Sequence, residues 1–283
     1  MNYFLSKKQP AKFQNFLVLF LVFLSFFLVS ACSSDDDDSG SGSNNPGFSA
    51  GACSAFNFSR SKIVNGLTCS RSGNPSPLVR LEIRSLQGQG VCTGMVIDND
   101  KILTAAHCLE GTILSVNVET DVGVRTGARF AVPSTYRTNP VSIDDVAIVF
   151  TNESIGIQPR PILVSQSPSV GETGFIGGFG ENARGQLDST PRAGKAIVTN
   201  VTSNHVTVRF EGDQAHPCFG DSGGPLVVER GGVRPIVGVV SQSDPSVRPD
   251  TFCRPGDITL YTNMRAPSVL SFLAQFAPNA GAL

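Results

Sequence analysis

Residues 218–225 read Cys-Phe-Gly-Asp-Ser-Gly-Gly-Pro, so one serine, Ser222, lies within a run of glycines. Alone, such a run is compatible with an ordinary glycine-rich turn. Two further segments change that interpretation, because residues 103–108 read Leu-Thr-Ala-Ala-His-Cys and residues 144–149 read Asp-Asp-Val-Ala-Ile-Val. A histidine, an aspartate and a serine therefore follow one another in three distinct segments. Together they indicate a site for nucleophilic chemistry.

The chain between these motifs is typical of short β-strands, rich in Val, Ile and Phe and bounded by Gly, Pro, Asn or Asp. The predicted strands are Leu78–Ile83, Val91–Ile97, Ile113–Val118, Val146–Phe150, Ala196–Val201, His205–Phe210, Pro225–Val228 and Pro235–Val240. Because no long helical pattern separates them, they favour antiparallel barrels or a sandwich over βαβ units. A single good helix is predicted at the end, where an apolar stripe follows Pro267.

The composition is that of an ordinary globular protein and excludes some partners. The 283 residues are 40% hydrophobic and 16% charged, with a net charge of -1. There is no basic excess to neutralise phosphates, so nucleic acid is not expected as a partner. The three histidines lie in unrelated segments without paired ligand spacing, so no metal and no other cofactor is expected. Seven cysteines are an odd number, so at least one has a role outside an internal disulfide.

The three residue types of the motifs fit a division of labour in catalysis. A serine hydroxyl is a weak nucleophile at neutral pH and needs an adjacent base. Imidazole, with an unperturbed pKa of about 6.5, suits that task, and a buried carboxylate can orient the ring and stabilise its charged form. Asp144 and Asp145 compete for the carboxylate role. We prefer Asp145 because it directly precedes the apolar run.

Taken together, the motifs resemble those of the chymotrypsin/trypsin family of serine proteases, in that family's His, Asp, Ser order. The resemblance runs from about Ile63 to the final helix. It implies an all-β fold of two six-stranded antiparallel β-barrels with a C-terminal α-helix. It also implies an endopeptidase that hydrolyses peptide bonds through an acyl-enzyme. His107 would be the base and later the acid, Asp145 would orient it, and Ser222 would attack the peptide carbonyl.

The same resemblance implies that the backbone N–H groups of Gly220 and Ser222 form the oxyanion hole. Gly220 also has a physical reason to be glycine, because the chain must approach the substrate closely at that point. Two alternatives from other classes stay open. One is a protease-like protein that is catalytically silent and binds a partner in the same cleft. The other is a surface adhesin that uses the domain as a scaffold.

Residues 61–66 read Ser-Lys-Ile-Val-Asn-Gly and resemble the family's activation site. Cleavage after Lys62 would free the amino group of Ile63. By the resemblance, this ammonium would pair with Asp221 and order the oxyanion loop and the substrate pocket, since a buried charge needs a partner. The plainer alternative is that Ile63 and Val64 only begin a strand. An activating protease is therefore an expected partner, beside the polypeptide substrate.

Six of the cysteines are expected to form disulfides that stabilise the site and the activation segment. The resemblance implies the pairs Cys92–Cys108 at the histidine loop and Cys218–Cys253 at the substrate pocket. With Cys32 set aside for lipid, Cys53 and Cys69 remain, and they lie on either side of the bond after Lys62. Their pairing would keep the activated enzyme covalently tied to its propeptide.

The N-terminal region predicts export. Basic residues precede the almost wholly apolar residues 13–30, which is the pattern of a signal peptide, with an uncleaved membrane anchor as the alternative. Residues 29–32 read Val-Ser-Ala-Cys and resemble a bacterial lipobox, whose cysteine, here Cys32, becomes the lipidated first residue. The predicted organisation is signal peptide 1–31, flexible acidic and Gly/Ser-rich tether 32–50, propeptide 51–62 and protease domain 63–283.

Two features after the lipobox predict the destination. Ser33 stands where lipoproteins retained in the inner membrane commonly have Asp, and the acidic run 35–38 resembles surface-export signals of some Gram-negative lipoproteins. We therefore expect a bacterial outer-membrane lipoprotein, held in the membrane through Cys32 and facing the periplasm or the cell surface. Disulfides persist in such compartments.

The substrate pocket departs from the trypsin pattern. The position six residues before the nucleophile, an aspartate in the trypsin branch, is His216 here. Because that carboxylate is missing, Arg and Lys are not the expected P1 residues. Ser241 begins the segment that resembles the family's substrate-pairing strand, and Ser243 and Thr259 would narrow the pocket. Small P1 residues are our first expectation and an acidic P1 that contacts His216 is the second. A satisfied structural histidine is the remaining interpretation.

Overall fold

The computed structural model describes residues 51–63, 66–71, 73–182, 185–211, 214–247 and 253–283. The predicted signal peptide, the tether and the lipidation site Cys32 lie outside the described residues. Across the part of the chain that is described, no helix has both the length and the apolarity needed to cross a membrane.

The described chain opens with a single 3₁₀ turn and a hairpin. These elements are the turn Cys53–Phe56 and the strands β1 (Phe58–Ile63) and β2 (Gly66–Arg71). The hairpin is antiparallel, with Lys62 opposite Leu67. The predicted activation bond therefore lies at the end of β1.

Six strands close into a first antiparallel barrel. They are β3 (Leu78–Ser85), β4 (Gly88–Asp98), β5 (Lys101–Thr104), β6 (Ile113–Thr120), β7 (Gly123–Ala131) and β8 (Ala147–Thr151). Their order around the barrel is β3-β4-β5-β8-β7-β6. Branched side chains fill the interior, among them Leu81, Val96, Ile102 and Val149. Gly94 permits the close contact of β4 and β5, because a Cβ there would lie 2.5 Å from Cγ2 of Ile102.

Six further strands form the second antiparallel barrel. They are β9 (Thr173–Gly178), β10 (Arg192–Val201), β11 (His205–Arg209), β12 (Pro225–Val228), β13 (Ile236–Ser243) and β14 (Ile258–Asn263). The order is β10-β11-β14-β13-β12-β9, and the pairing of β9 with β10 closes the ring. The β1–β2 hairpin extends this sheet, since Leu67 of β2 pairs with Ala193 of β10.

A larger apolar cluster joins the two barrels to the C-terminal helix α1 (Pro267–Phe276). Pro267 stands in the first turn of the helix, where its missing N–H costs nothing. Val269, Phe272 and Leu273 form the buried face. Two six-stranded antiparallel barrels and a C-terminal helix are thus the observed architecture, which confirms the fold expected from the sequence.

The segment before the hairpin is part of this core. Ala52, Ala55 and Phe56 are each fully buried and belong to the cluster between the barrels. The Phe56 ring lies against β9 so closely that a Cβ on Gly177 would be 2.8 Å from it. Arg160 also donates a 2.9 Å hydrogen bond to the Ala55 carbonyl. Residues 51–57 are therefore an integral part of the domain and not a loose extension.

The predicted elements are present, with longer boundaries in several cases. The predicted strand Val91–Ile97 lies within β4, and the predicted Ala196–Val201 lies within β10, which begins at Arg192. The predicted C-terminal helix is confirmed as α1. The sequence-based prediction omitted β1, β2, β5, β7, β9 and β14.

Candidate active site

His107 lies directly after β5, in a one-turn 3₁₀ helix, and its ring is held by Asp145. Its Nδ1 is 2.8 Å from Oδ2 of Asp145, and its backbone N–H donates a 2.9 Å hydrogen bond to Oδ1. Burial opposes the charged ring, but the hydrogen bond and charge of Asp145, with the charge of Glu110, raise the pKa of His107 above 6.5. The imidazole is therefore oriented and basic.

Asp145 is fully buried and its carboxylate is satisfied from several sides. The Ser241 hydroxyl donates to Oδ2 at 2.6 Å, and the Thr262 hydroxyl donates to the Asp145 carbonyl at 3.1 Å. Burial alone would raise the pKa of Asp145, but the hydrogen bonds and charge of His107 and the bond from Ser241 lower it below 3.8. The carboxylate is thus kept ionised in an apolar setting.

The neighbouring carboxylate serves a different purpose. Asp144 is also buried, but its Oδ1 accepts a 2.6 Å hydrogen bond from Ser268 of α1. Its φ of 54° turns the chain between the two aspartates. Of the two competing carboxylates, it is Asp145 that contacts His107.

Ser222 lies in a loop that both barrels hold. Its carbonyl accepts a 2.8 Å hydrogen bond from the Thr93 N–H of β4, and the next residue, Gly223, donates to the Val240 carbonyl of β13. Gly223 has a φ of 81°, and a Cβ there would lie 2.1 Å from the Thr104 hydroxyl oxygen. Only glycine fits this turn, so the chain reverses tightly just after the serine.

His107 and Ser222 both contact one sulfur atom, that of Cys108. Sγ of Cys108 is 3.9 Å from Nε2 of His107 and 3.8 Å from the Ser222 carbonyl oxygen. Among the described residues, the Ser222 hydroxyl and the His107 ring do not form a direct hydrogen bond. Contacts of this kind are often longer in the free protein than in a complex with substrate.

The cysteines near the site form disulfides. The structure contains Cys92–Cys108, Cys218–Cys253 and Cys53–Cys69. Cys92 and Cys108 also come within 4.8 Å of the His107 ring, a spacing that could suit a metal. Because both sulfurs are in a disulfide, neither is a thiolate, and this cluster does not fit a metal ion.

Asp221, directly before the serine, is partly buried within its loop. Its two carboxylate oxygens accept hydrogen bonds from the Gly180 N–H at 2.7 Å and the Cys218 N–H at 2.9 Å. A Cβ on Gly178 would lie 2.0 Å from Oδ1, so glycine makes the space for this carboxylate. Burial raises the pKa of Asp221 to about 6, although these two bonds and the charge of Arg192 oppose it. No ion pair to Asp221 occurs among the described residues.

Gly220 precedes Asp221 in the loop that carries Ser222 and has a φ of 94°. Its carbonyl accepts a 2.9 Å hydrogen bond from the Thr93 hydroxyl. A Cβ there would come within 2.8 Å of Leu187, so glycine is required by both conformation and space.

His216 lines a cavity of about 620 Å³ that Asp221 also reaches. Its Nε2 is 2.8 Å from the Thr259 hydroxyl, and its ring stacks on Phe210 with centroids 5.0 Å apart. Burial lowers the pKa of His216, although the Asp257 charge opposes this shift, so the ring is neutral at neutral pH. Its buried Nδ1 has no partner among the described residues.

The other residues expected in the pocket differ in where their side chains lie. Thr259 contacts His216, as described, and the Ser243 hydroxyl is buried without a described partner. The Ser241 side chain, however, is directed to Asp145. Sequence reasoning assigned Ser241 to the pocket and missed its contact with the aspartate, and it gave no role to Thr93. Neither contact has a local sequence signal, because the partners are 96 and 127 residues apart.

A fold of two antiparallel barrels, with a histidine–aspartate pair beside a serine in a glycine-bounded loop, defines a chymotrypsin-like serine protease domain. A family model described as Trypsin matches residues 63–264, so the chain belongs to the trypsin family.

The chain is also similar to curated trypsin-like proteins, and its fold is similar to that of a solved structure. Trypsin delta of Drosophila melanogaster is 29% identical over 64% of this chain and 78% of its own length. Trypsin I-P1 of Gallus gallus is 25% identical over 59% of this chain and 74% of its own length. Kallikrein-4 of Homo sapiens is 24% identical over 62% of this chain and 76% of its own length. The structure of HL collagenase superposes with a TM-score of 0.58 at 21% identity, covering 75% of this chain and 97% of that one. That likeness concerns the fold alone.

Proposed function

We propose that this protein is a serine endopeptidase in which His107, Asp145 and Ser222 form the catalytic triad. The single observation that carries the proposal is the His107 ring, held at 2.8 Å by a buried carboxylate and lying beside the serine loop. Family membership supports a hydrolase that acts on polypeptides.

In the proposed reaction, His107 takes the proton of the Ser222 hydroxyl as the oxygen attacks the peptide carbonyl. Asp145 keeps the Nδ1 proton in place and stabilises the imidazolium that forms. The N–H groups of Gly220 and Ser222 bind the oxyanion of the tetrahedral intermediate. His107 then protonates the leaving amine, and water releases the acyl group by the same steps in reverse order.

Active-site labelling tests this proposal. The protein is cut after Lys62, treated with a fluorophosphonate probe and digested, and the labelled peptide is identified by mass spectrometry. We expect stoichiometric label on Ser222 and no label on Ser222→Ala. Peptidase activity of Ser222→Ala should fall by several orders of magnitude with an unchanged thermal unfolding profile. Failure of the correctly cut protein to react would favour the catalytically silent binding protein.

We further propose that the chain is a zymogen activated by cleavage after Lys62. Asp221 supports this, because it is a partly buried carboxylate with no ion pair among the described residues and a pKa raised to about 6. A new ammonium at Ile63 would supply the missing opposite charge. The Lys62→Gln variant, which removes the basic cleavage residue, should stay uncut and inactive when treated with trypsin. A Lys195→Gln variant, changed at a lysine outside the site, should be activated normally.

The proposed P1 preference excludes Arg and Lys and favours small residues, with acidic P1 residues as the second expectation. The support is His216, a neutral ring where trypsins carry a carboxylate, held in place by the Thr259 hydroxyl. A P1 peptide library assayed with the cut enzyme decides between these outcomes. Strong cleavage after Arg or Lys would overturn this interpretation of His216, and would leave the triad proposal unaffected.

The proposed location is the bacterial outer membrane, with attachment through lipid on Cys32. This proposal rests on the lipobox-like sequence and the acidic run that follows it. Metabolic labelling with a clickable fatty acid should mark the full-length protein and not Cys32→Ser, and the label should fractionate with outer membranes. Label in a Cys32→Ser variant would contradict lipidation at this site.

A further inference from the structure

Thr93 of β4 connects the first barrel to the loop that carries the serine. It is fully buried, and it makes three hydrogen bonds to residues of the second half of the chain. Its N–H donates to the Ser222 carbonyl at 2.8 Å, and its hydroxyl donates to the Gly220 carbonyl at 2.9 Å. The hydroxyl oxygen also accepts a 3.1 Å hydrogen bond from the Phe179 N–H.

The direction of these side-chain bonds is fixed by chemistry. A carbonyl oxygen can only accept and a backbone N–H can only donate. The Thr93 hydroxyl must therefore give its one proton to Gly220 and use a lone pair for Phe179. The hydroxyl group is thus held in one orientation, in a place that excludes water.

The residues that Thr93 holds are those that would supply the oxyanion hole. Gly220 and Ser222 each contribute an N–H to the proposed hole, and Thr93 binds the carbonyl of each. Gly220 has no side chain to restrain it and has a φ of 94°, so its orientation depends on such outside contacts. Phe179 lies between Gly178 and Gly180, the glycines that make room for Asp221.

We infer that Thr93 is a positioning residue for the oxyanion hole, and that its hydroxyl holds Gly220 in the orientation in which its N–H faces the substrate. Thr104 supports this arrangement, because its hydroxyl donates a 2.8 Å hydrogen bond to the Thr93 carbonyl. The inference rests on the proposed peptidase function and adds a residue outside the motifs that define it.

The test compares Thr93→Val with Thr93→Ser in the protein cut after Lys62. Valine keeps the shape but loses the hydroxyl, which leaves the Gly220 carbonyl and the Phe179 N–H without a partner. We expect kcat of Thr93→Val to fall by about 10- to 100-fold with KM within about twofold, since loss of an oxyanion-hole donor itself costs about 100- to 1,000-fold. Serine keeps the hydroxyl and should restore kcat to within about threefold of wild type.

A second readout isolates the oxyanion. A peptide aldehyde forms a hemiacetal with the serine whose oxygen occupies the hole, so its Ki should rise with the loss in kcat. The Ki of the matched peptide alcohol, which fills the same subsites but has no carbonyl to form a hemiacetal, should stay within about twofold. The matched control is Thr151→Val, which removes another buried threonine hydroxyl of the first barrel. It should leave kcat within about twofold.

The outcomes separate the inference from the function on which it rests. Inactive, unlabelled wild-type protein would overturn the peptidase proposal itself. Active wild type with an equally active Thr93→Val would overturn the role of Thr93 alone, as would a loss in Thr93→Val that Thr93→Ser shares. If Thr93→Val does not fold, Thr93→Ala gives the same comparison with serine, because both are smaller than threonine and only serine keeps the hydroxyl.

Discussion

The Ser241 hydroxyl donates a 2.6 Å hydrogen bond to Oδ2 of Asp145, the same oxygen that lies 2.8 Å from His107 Nδ1. A fully buried carboxylate stays charged only when its oxygens are satisfied. Here one oxygen serves two partners from different barrels, the histidine after β5 and the serine of β13. The ionised state of the aspartate therefore depends on both barrels being docked.

Loss of this bond should weaken catalysis. In Ser241→Ala the Asp145 carboxylate loses a donor in a buried place, and we expect kcat to fall by about 10-fold, the effect of about 1.5 kcal/mol. Ser268→Ala is the matched control, because it removes a bond of the same length to the neighbouring Asp144. Steady-state kinetics of the cut enzyme provide the measurement. Equal losses in both variants would argue against a specific role for Ser241.

The pH dependence of activity should follow His107. Burial opposes its charged form, but the hydrogen bond and charge of Asp145 raise its pKa above 6.5. Only the neutral ring can accept the serine proton, so kcat/KM should rise with pH through a midpoint above 6.5. Glu110→Gln removes a second negative charge and should move the midpoint down by a few tenths of a pH unit, whereas Glu153→Gln should not. A wild-type midpoint below 6.5 would contradict this account.

In the uncut protein, the contribution of Asp221 to stability should fall as pH rises. Asp221 has a pKa raised from 3.8 to about 6, so between these values the folded protein holds a proton that the unfolded chain has released. Its contribution to the free energy of unfolding is present below about pH 4 and is lost by about pH 6, a total of about 3 kcal/mol.

Urea unfolding of Ser222→Ala between pH 4 and 7 tests this loss without autolysis. After cleavage at Lys62, an Ile63 ammonium paired with Asp221 would lower the pKa of the carboxyl and flatten the dependence. The comparison of cut and uncut protein cancels the contribution of other titrating groups. Identical slopes in the two forms would speak against the ion pair.

The space around Asp221 should tolerate no side chain. A Cβ on Gly178 would lie 2.0 Å from Oδ1 of Asp221, and no shift of a flexible end could relieve the contact, because the carboxylate is held by two backbone N–H groups. We expect Gly178→Ala to lower the free energy of unfolding by at least about 2 kcal/mol and to abolish activation. Gly90→Ala, in a strand with open space at that position, should cost about 1 kcal/mol or less. Thermal unfolding distinguishes them, and equal midpoints would be the contrary result.

The segment before the cleavage bond should behave as a structural part of the enzyme. Phe56 is fully buried, and Phe56→Ala should destabilise both the uncut and the cut protein by about 3–5 kcal/mol. Ser54→Ala, an exposed change in the same turn, should cost less than about 1 kcal/mol. Denaturant unfolding gives both values. A cut protein that is indifferent to Phe56→Ala would indicate that the segment leaves after cleavage.

Two of the missed strands, β7 and β9, lack the buried, β-branched run that the predicted strands share. Strand β7 has mostly exposed side chains, with Val124 at 60% and Phe130 at 40% exposure, so it shows no apolar face. Strand β9 reads Thr-Gly-Phe-Ile-Gly-Gly, and its glycines reflect close packing against Phe56 and Asp221. That packing is a tertiary property and has no local signature.

The same distinction holds in the site. His107, Asp145 and Ser222 each stand in a local motif, and the sequence predicted them as one site. Ser241 and Thr93 act through contacts across the barrel interface, and such contacts are set by how two sheets face one another. Ser241 was therefore assigned to the substrate pocket, and Thr93 received no role.

The disulfide Cys53–Cys69 and the burial of Phe56 have a practical consequence for anyone who produces this protein. A recombinant form that starts at Ile63, as a mature sequence would suggest, lacks Cys53 and Phe56. Its Cys69 therefore loses its disulfide partner, and the apolar surface of β9 and β10 that Phe56 covers is exposed to solvent. We expect such a product to aggregate and to form disulfide-linked dimers. The expressed protein should therefore begin no later than Gly51, and the bond after Lys62 should be cleaved only after the protein has folded.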